Sequence, residues 1–213
     1  SGLRPEGRPG LPERSGRQMI KLAGLSVKYL STRKTAVDSL SFEVRAGERL
    51  VLLGPSGCGK TTVLKAILGL LRPDEAKMEG RIEKGGVKLA AVFQRPALFP
   101  WLNVRKNIAF PLMAAGRGAA DRVGAITGPL IQMCGLQGCG DYLPHQLSAG
   151  MQQRVSFLRA LADSPGLLIM DEPFSSLDVA TKRRLLEDFT AILERKNITA
   201  LFVTHDIREA LAI

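Results

Sequence analysis

The sequence predicts a layered α/β fold, and three features carry that prediction. A continuous apolar run, Arg49-Leu50-Val51-Leu52-Leu53, enters a glycine-rich turn and then Thr62-Val63-Leu64-Lys65-Ala66-Ile67-Leu68, which has helical spacing. Apolar runs at residues 167–170 and 199–203 flank a helical stretch at residues 180–195, and such a crossover implies parallel strands. Residues 19–44 instead alternate apolar and polar, with Ile20 and Leu22, then Leu40, Phe42 and Val44, which predicts short antiparallel strands.

Each element follows from local pattern. The run at residues 49–53 has no polar alternation and reads as a strand buried on both faces. Residues 96–162 lack a clear buried strand, while Val155, Leu158, Ala162 and Ile126, Leu130, Met133 recur at helical spacing, so a helical subdomain is expected there. Residues 206–213 begin another helix. Residues 1–18 are rich in Pro, Gly and Arg with no apolar centre, which predicts a flexible leader rather than a signal peptide.

Composition bounds the function. At 213 residues the chain fits one domain with a sizeable core. The balance of 30 Lys+Arg against 20 Asp+Glu gives +10, spread without a block of like charges. This fits a solvated basic surface or nearness to anionic lipid. With one Trp and two Tyr, a nucleic-acid surface built on base stacking is not expected. No apolar stretch reaches the ~18 residues needed to cross a bilayer, so a membrane role has to come through a partner. Three cysteines, Cys58, Cys134 and Cys139, lack CxxC spacing and point to reduced thiols rather than a disulfide framework or zinc.

The chemistry is concentrated in two runs. Gly54-Pro55-Ser56-Gly57-Cys58-Gly59-Lys60-Thr61, followed by Thr62, matches the full phosphate-loop pattern in its required strand–loop–helix setting. Glycines let successive N–H groups converge on phosphates at a helix start whose dipole favours anions. Lys60 is placed to reach the terminal phosphates and the Thr61 hydroxyl to hold Mg²⁺. In Leu167-Leu168-Ile169-Met170-Asp171-Glu172-Pro173, four apolar residues bury a strand and present Asp171 at its carboxyl end. Asp171 is expected to support Mg²⁺, and Glu172 to polarise an attacking water as general base. No NKxD run marks a GTPase, and the interval from Gln94 to Leu147 is too short for a long coiled-coil insertion.

Between these runs lies Leu147-Ser148-Ala149-Gly150-Met151-Gln152-Gln153-Arg154. Together the three runs resemble the ATP-binding cassette (ABC) family, with Ala149 in place of a signature glycine and Met151 in place of the glutamine. The resemblance covers residues 20–213 in family order. It implies a P-loop NTPase (RecA-like) core with an N-terminal antiparallel β subdomain and an inserted helical subdomain. It further implies that Gln94, in Val92-Phe93-Gln94, senses Mg²⁺ and water, and that His205, in Val203-Thr204-His205-Asp206, contacts the γ-phosphate. Asp178, in Ser175-Ser176-Leu177-Asp178, matches the loop that crosses the dimer interface; by itself it reads equally as a helix N-cap. Tyr29 occupies the place of the aromatic that stacks on adenine. Ser148 and the N–H of Gly150 are implied to close over ATP held by the opposite subunit. Alanine at position 149 predicts a strained loop if that position needs positive φ. Family members continue beyond the point where this sequence stops, which predicts a C-terminal truncation.

The implied function is an ATP-hydrolysing subunit, working with ATP and Mg²⁺ on the cytoplasmic face of a membrane. Its implied partners are a second copy or a homologous ATPase, integral-membrane permease subunits and an extracytoplasmic solute-binding protein. The stretch Ala97-Leu98-Phe99-Pro100-Trp101-Leu102-Asn103-Val104 and the methionine at 151 resemble nitrate/sulfonate/taurine import ATPases. An exposed Trp101 fits either a docking surface for a permease or an anchor of the helical subdomain. The alternative is a soluble ABC ATPase or nucleotide-dependent regulator without a permease.

Overall fold

The structure, a computed structural model, describes residues 16–213. Most of the expected leader therefore lies outside the described residues. Its last part, at residues 16–18, is tied to the sheet: Arg17 donates to the Gly85 carbonyl and Gln18 opens the first strand.

The antiparallel pair runs through β1 (Gln18–Tyr29) and β2 (Thr35–Arg45), with Leu22 opposite Phe42 and Val27 opposite Val37. Both strands are longer than expected, at 12 and 11 residues. After β3 (Arg49–Leu53) and α1 (Lys60–Leu68), β4 (Ala76–Lys84) joins the other side of β1, completing a three-stranded sheet in the order β2-β1-β4. The sequence pattern does not reveal β4, because its residues from Lys77 to Arg81 are all exposed and mostly charged or polar. Charge on an edge strand discourages pairing with another chain and also erases the period-2 signal.

The second sheet is parallel, in the order β3-β7-β6-β5, from β5 (Leu89–Val92), β6 (Leu167–Asp171) and β7 (Thr199–Thr204). Strands β6 and β7 are buried throughout, and alternate residues serve opposite faces. Leu168, Met170, Ala200 and Phe202 face one core; Leu167, Ile169, Leu201 and Val203 face the other. The expectation that residues 49–53 are buried on both faces is corrected here. Among the described residues β3 lies at the sheet edge with β7 as its one neighbour, so it is half-buried and Leu53 is exposed.

The first core holds α2 (Val104–Ala114), α3 (Ala120–Met133), α4 (Ala149–Leu161) and α5 (Val179–Arg195) against the parallel sheet. Phe157 and Phe189 stack at 3.8 Å between ring centres, with Phe174 and Phe202 alongside. The second core lies between the antiparallel sheet, α1 and the far face of the parallel sheet. A short helix, α6 (Ile207–Ala212), follows β7. Among the described residues no helix is long and apolar enough to cross a membrane.

Candidate functional site

The carboxyl ends of β3, β6 and β7 converge at one edge of the parallel sheet, where ligands bind in open α/β sheets. The loop at residues 54–61 leaves β3 here and feeds α1. Gly59 has φ 100°, and a Cβ at that position would fall 2.1 Å from the Ala36 carbonyl oxygen, so only glycine fits. No side chain caps α1, and no acidic residue occupies its first turn. Its first N–H groups therefore remain available to an anion.

Side chains from three distant parts of the sequence meet at this point. Lys60 is buried, and its Nζ donates to the carbonyls of Gly54 at 2.7 Å and Pro55 at 2.8 Å. The same Nζ lies 3.7 Å from Glu172 Oε1, while Glu172 Oε2 lies 3.1 Å from His205 Nδ1. Thr61 donates its hydroxyl to Asp171 Oδ1 at 3.2 Å. Burial pushes the Asp171 carboxyl above its ordinary range, against the opposing hydrogen bond from Thr61. Glu172 sits at φ 44°, and its N–H donates to the Val203 carbonyl at 2.9 Å. A non-glycine residue held in that region costs on the order of 1–3 kcal/mol and is fixed by its surroundings, here the hydrogen bond to the end of β7.

A cavity of about 510 Å³ is lined by Ser56, Gly57, Gly59, Lys60, Thr61, Thr62, Asp171 and Glu172, with Tyr29 and Gln94 also in its wall. The Tyr29 hydroxyl lies 3.1 Å from the Thr62 hydroxyl. Cys58 is exposed within the loop, and its Sγ lies 4.0 Å from Lys60 Nζ. Thr32, Lys34, Thr35 and Ala36 complete the wall. They were not anticipated from sequence, since the turn after β1 and the start of β2 carry no motif; the one signal is the basic pair Arg33-Lys34 within that turn. The oxygens of Thr61 and Asp171, 3.2 Å apart, are a hard donor set that suits Mg²⁺ together with phosphate oxygens.

The segment carrying Gln94 is tied to α4 at both ends. Gln153 donates to the Phe93 carbonyl at 3.3 Å, and Arg159 donates to Pro96 at 3.0 Å and Ala97 at 2.9 Å. Beyond it, buried Asn107 bonds the backbone of Phe99, Leu102 and Asn103 and so shapes the turn that presents Trp101. Trp101 is 72% exposed and lies beside Phe99, which in turn packs on the exposed Phe110. A neighbouring groove of about 390 Å³ runs between Ala97, Phe99, Phe110 and Arg159.

Ser148, Gly150 and Asp178 stand apart from the phosphate-loop cavity. Ser148 caps α4 by accepting from Met151 N at 3.3 Å, and Asp178 caps α5 by accepting from Thr181 N at 3.0 Å. The N-cap alternative for Asp178 is thus realised in the fold. Gly150 is buried against α5, where a Cβ would fall 2.8 Å from Thr181 Cγ2. Ala149 is exposed in the first turn of α4 and is absent from the positive-φ positions, so the expected strain does not arise. The three cysteines are free thiols, and burial raises that of Cys134 to about 12.

Residues 37–175 match the ABC transporter family. The chain is 45% identical over 187 residues to the sulfate/thiosulfate import ATP-binding protein CysA 2 of Chromobacterium violaceum, covering 84% of this chain and 50% of that protein. It is 41% identical over 177 residues to the aliphatic sulfonates import ATP-binding protein SsuB 1 of Pseudomonas savastanoi pv. phaseolicola, covering 83% and 70% respectively. The chain spans about half the length of several import proteins that it matches. Among solved structures, an ATP-binding cassette in a dimeric post-hydrolysis state with ADP and Pi superposes with a TM-score of 0.77 at 29% identity, covering 91% of each chain. With the phosphate loop, the paired carboxylates and the LSxG run on one α/β scaffold, these matches place this chain in the ABC transporter family, among its ATP-binding proteins.

Proposed function

We propose that this chain hydrolyses ATP to drive solute import through a membrane permease, in the manner of nitrate/sulfonate/taurine importers. The observation that carries the reading is the convergence of Thr61 with Asp171, and of Lys60 with Glu172, in the wall of one cavity at the sheet edge, with His205 bonded to Glu172 beside it.

The phosphate-loop N–H groups and Lys60 hold the β- and γ-phosphates, and Thr62 and Tyr29 face the nucleoside side. Thr61 and Asp171, with Gln94 in the same wall, would hold Mg²⁺, which would supply charge compensation for the phosphates. Glu172 orients the attacking water and accepts its proton, since it sits between a cation and an imidazole that fix its carboxylate. His205 approaches the γ-phosphate from the β7 side. Most of the catalytic gain in such a site comes from positioning and from donors aimed at developing charge. The remaining donors come from a second copy, whose Ser148 hydroxyl and Gly150 N–H close over the nucleotide while its Asp178 loop lines the joint. Two such sites form in a closed two-fold pair. Closure on ATP and reopening after hydrolysis then move the permease.

The exposed Trp101 patch and its groove supply an apolar docking surface for the permease. The same stretch, with Met151 in the signature, supports the nitrate/sulfonate/taurine type, as does similarity to a sulfonate import protein. The site of action is the cytoplasmic face of the membrane, with an extracytoplasmic binding protein selecting the solute. The named relatives are import proteins, which does not favour a soluble regulator. Affinity purification of the chain from solubilised membranes, with Mg²⁺-dependent ATP hydrolysis measured on the isolate, tests the reading. A co-purifying permease is expected; ATPase activity without any membrane partner would return the soluble alternative.

A further inference from the structure

Behind the catalytic edge, a second charged cluster sits where α5, β7 and α6 meet. Lys182, on the second turn of α5, places its Nζ 2.6 Å from Glu209 Oε1 and 2.9 Å from Asp206 Oδ2. Glu209 is only 3% exposed, and its other oxygen accepts a hydrogen bond from the Thr204 hydroxyl. The Thr204 hydroxyl in turn accepts from the Asp206 N–H at 3.0 Å. Asp206 spends its remaining oxygen on the N–H of Arg208, capping α6. Burial alone lowers the Lys182 ammonium, but Glu209 and Asp206 outweigh it and raise it, so the cation is secured.

This cluster encloses one residue. His205 lies between Thr204 and Asp206, and both neighbours are fixed by it, one through Glu209 and the other through Lys182 directly. The imidazole itself reaches the opposite way, 45% exposed, to Glu172. Glu209 is buried and Lys182 half-buried, so removing the lysine leaves a buried carboxylate without its cation, which makes the pair an effective lock. Neither Lys182 nor Glu209 stood out in the sequence. A lysine on a helix and a glutamate four residues after a histidine are ordinary surface types until the fold pairs the half-buried lysine with the buried glutamate.

We infer that the Lys182–Glu209 pair is a positioning device that holds the His205 loop, and so aims the imidazole at the Glu172 edge of the nucleotide cavity. The inference rests on the proposed role of His205. Because Lys182 lies one turn after Asp178, the lock also joins the start of α5 to the histidine loop.

The chain has two histidines, so the imidazole C2–H resonances in the 213-residue protein can be assigned with the His205→Ala variant, and His145 serves as an internal control. In the wild type the His205 line is expected to shift on addition of Mg²⁺ and a non-hydrolysable ATP analogue. In Lys182→Met it is expected to move or broaden and to lose most of that response, while His145 stays in place and Lys182→Arg restores the wild-type line. Should Lys182→Met fail to fold, the Lys182→Met/Glu209→Gln double variant removes both charges and is expected to show the same His205 change. A His205 line unaltered in position, width and nucleotide response in whichever variant folds overturns the inference. A wild-type line that ignores nucleotide but is displaced by Lys182→Met instead overturns the γ-phosphate role and leaves the lock standing. As a second measurement, Lys182→Met is expected to lower turnover about tenfold with His205 present and to add nothing in a His205→Ala background, where further loss would mark a general structural role.

Discussion

The phosphate-loop cavity and the paired helix starts at Ser148 and Asp178 use similar groups in opposite ways. In the cavity, side chains far apart in sequence find each other: Thr61 bonds Asp171, and Glu172 lies between Lys60 and His205. At the helix starts, Ser148 and Asp178 bond backbone N–H groups three residues along their own helices. The two helix starts touch through Gly150 and Thr181. One region is organised by the sheet and closed on itself. The other is locally capped, exposed and unconnected to the cavity. Under the proposed mechanism the first binds ATP in a single copy, and the second acts on the ATP of another copy. That division can be tested by asking which substitutions change ATP affinity in the monomer.

The largest effect is expected at Glu172. Glu172→Gln should reduce steady-state hydrolysis on the order of 10²–10⁴-fold while leaving ATP binding intact and trapping an ATP-bound dimer. Undiminished hydrolysis would falsify the general-base assignment. Lys60→Ala comes next: losing a charge-assisted contact of about 1.5–3 kcal/mol should weaken ATP binding roughly 10–100-fold, read by calorimetry. Equal affinity in that variant would refute the phosphate cradle.

On the other face the sign of the comparison reverses. Gly150→Ala forces a methyl against Thr181 and should destabilise the fold by about 1–3 kcal/mol, while adding Thr181→Ser removes the opposing methyl and should restore the melting temperature. Ser148→Ala removes the α4 cap and should lower stability by about 1 kcal/mol and reduce turnover, with no change in monomer ATP affinity. A drop in that affinity comparable to Lys60→Ala would break the division between the regions. The smallest effect belongs to Ala149→Gly, which should lower stability by less than about 1 kcal/mol because position 149 is helical and exposed. A large gain in turnover from this change would show that the alanine restrains the signature after all.

Much of the fold was legible because it is written in local periodicity. The crossover through β6, α5 and β7 follows from two apolar runs around a helix, and the phosphate loop announces itself by spacing. Strand β4 escaped because exposed charged residues leave no alternation, and β3 was assigned too much burial because edge position is not a property of its own residues. The site was legible where a motif dictates chemistry, as at Lys60, Thr61, Asp171 and Glu172. The cavity wall at Thr32, Lys34 and Ala36 was not, since those residues matter only through where the β1–β2 turn lands. The left-handed backbone at Glu172 was likewise invisible, because it arises from the junction of β6 with its neighbours.

By itself the sequence determined the strand–loop–helix that can hold phosphate, the carboxylates at a strand end, and the family to which these motifs point. Each depends on residue type at fixed spacing, where backbone geometry alone sets the outcome. Only the tertiary structure decided that Glu172 stands between Lys60 and His205, that Ala149 is unstrained, and that Lys182 pairs with Glu209 beside the histidine loop. Those pairings join residues tens of positions apart, and the order of strands in the sheet brings them together.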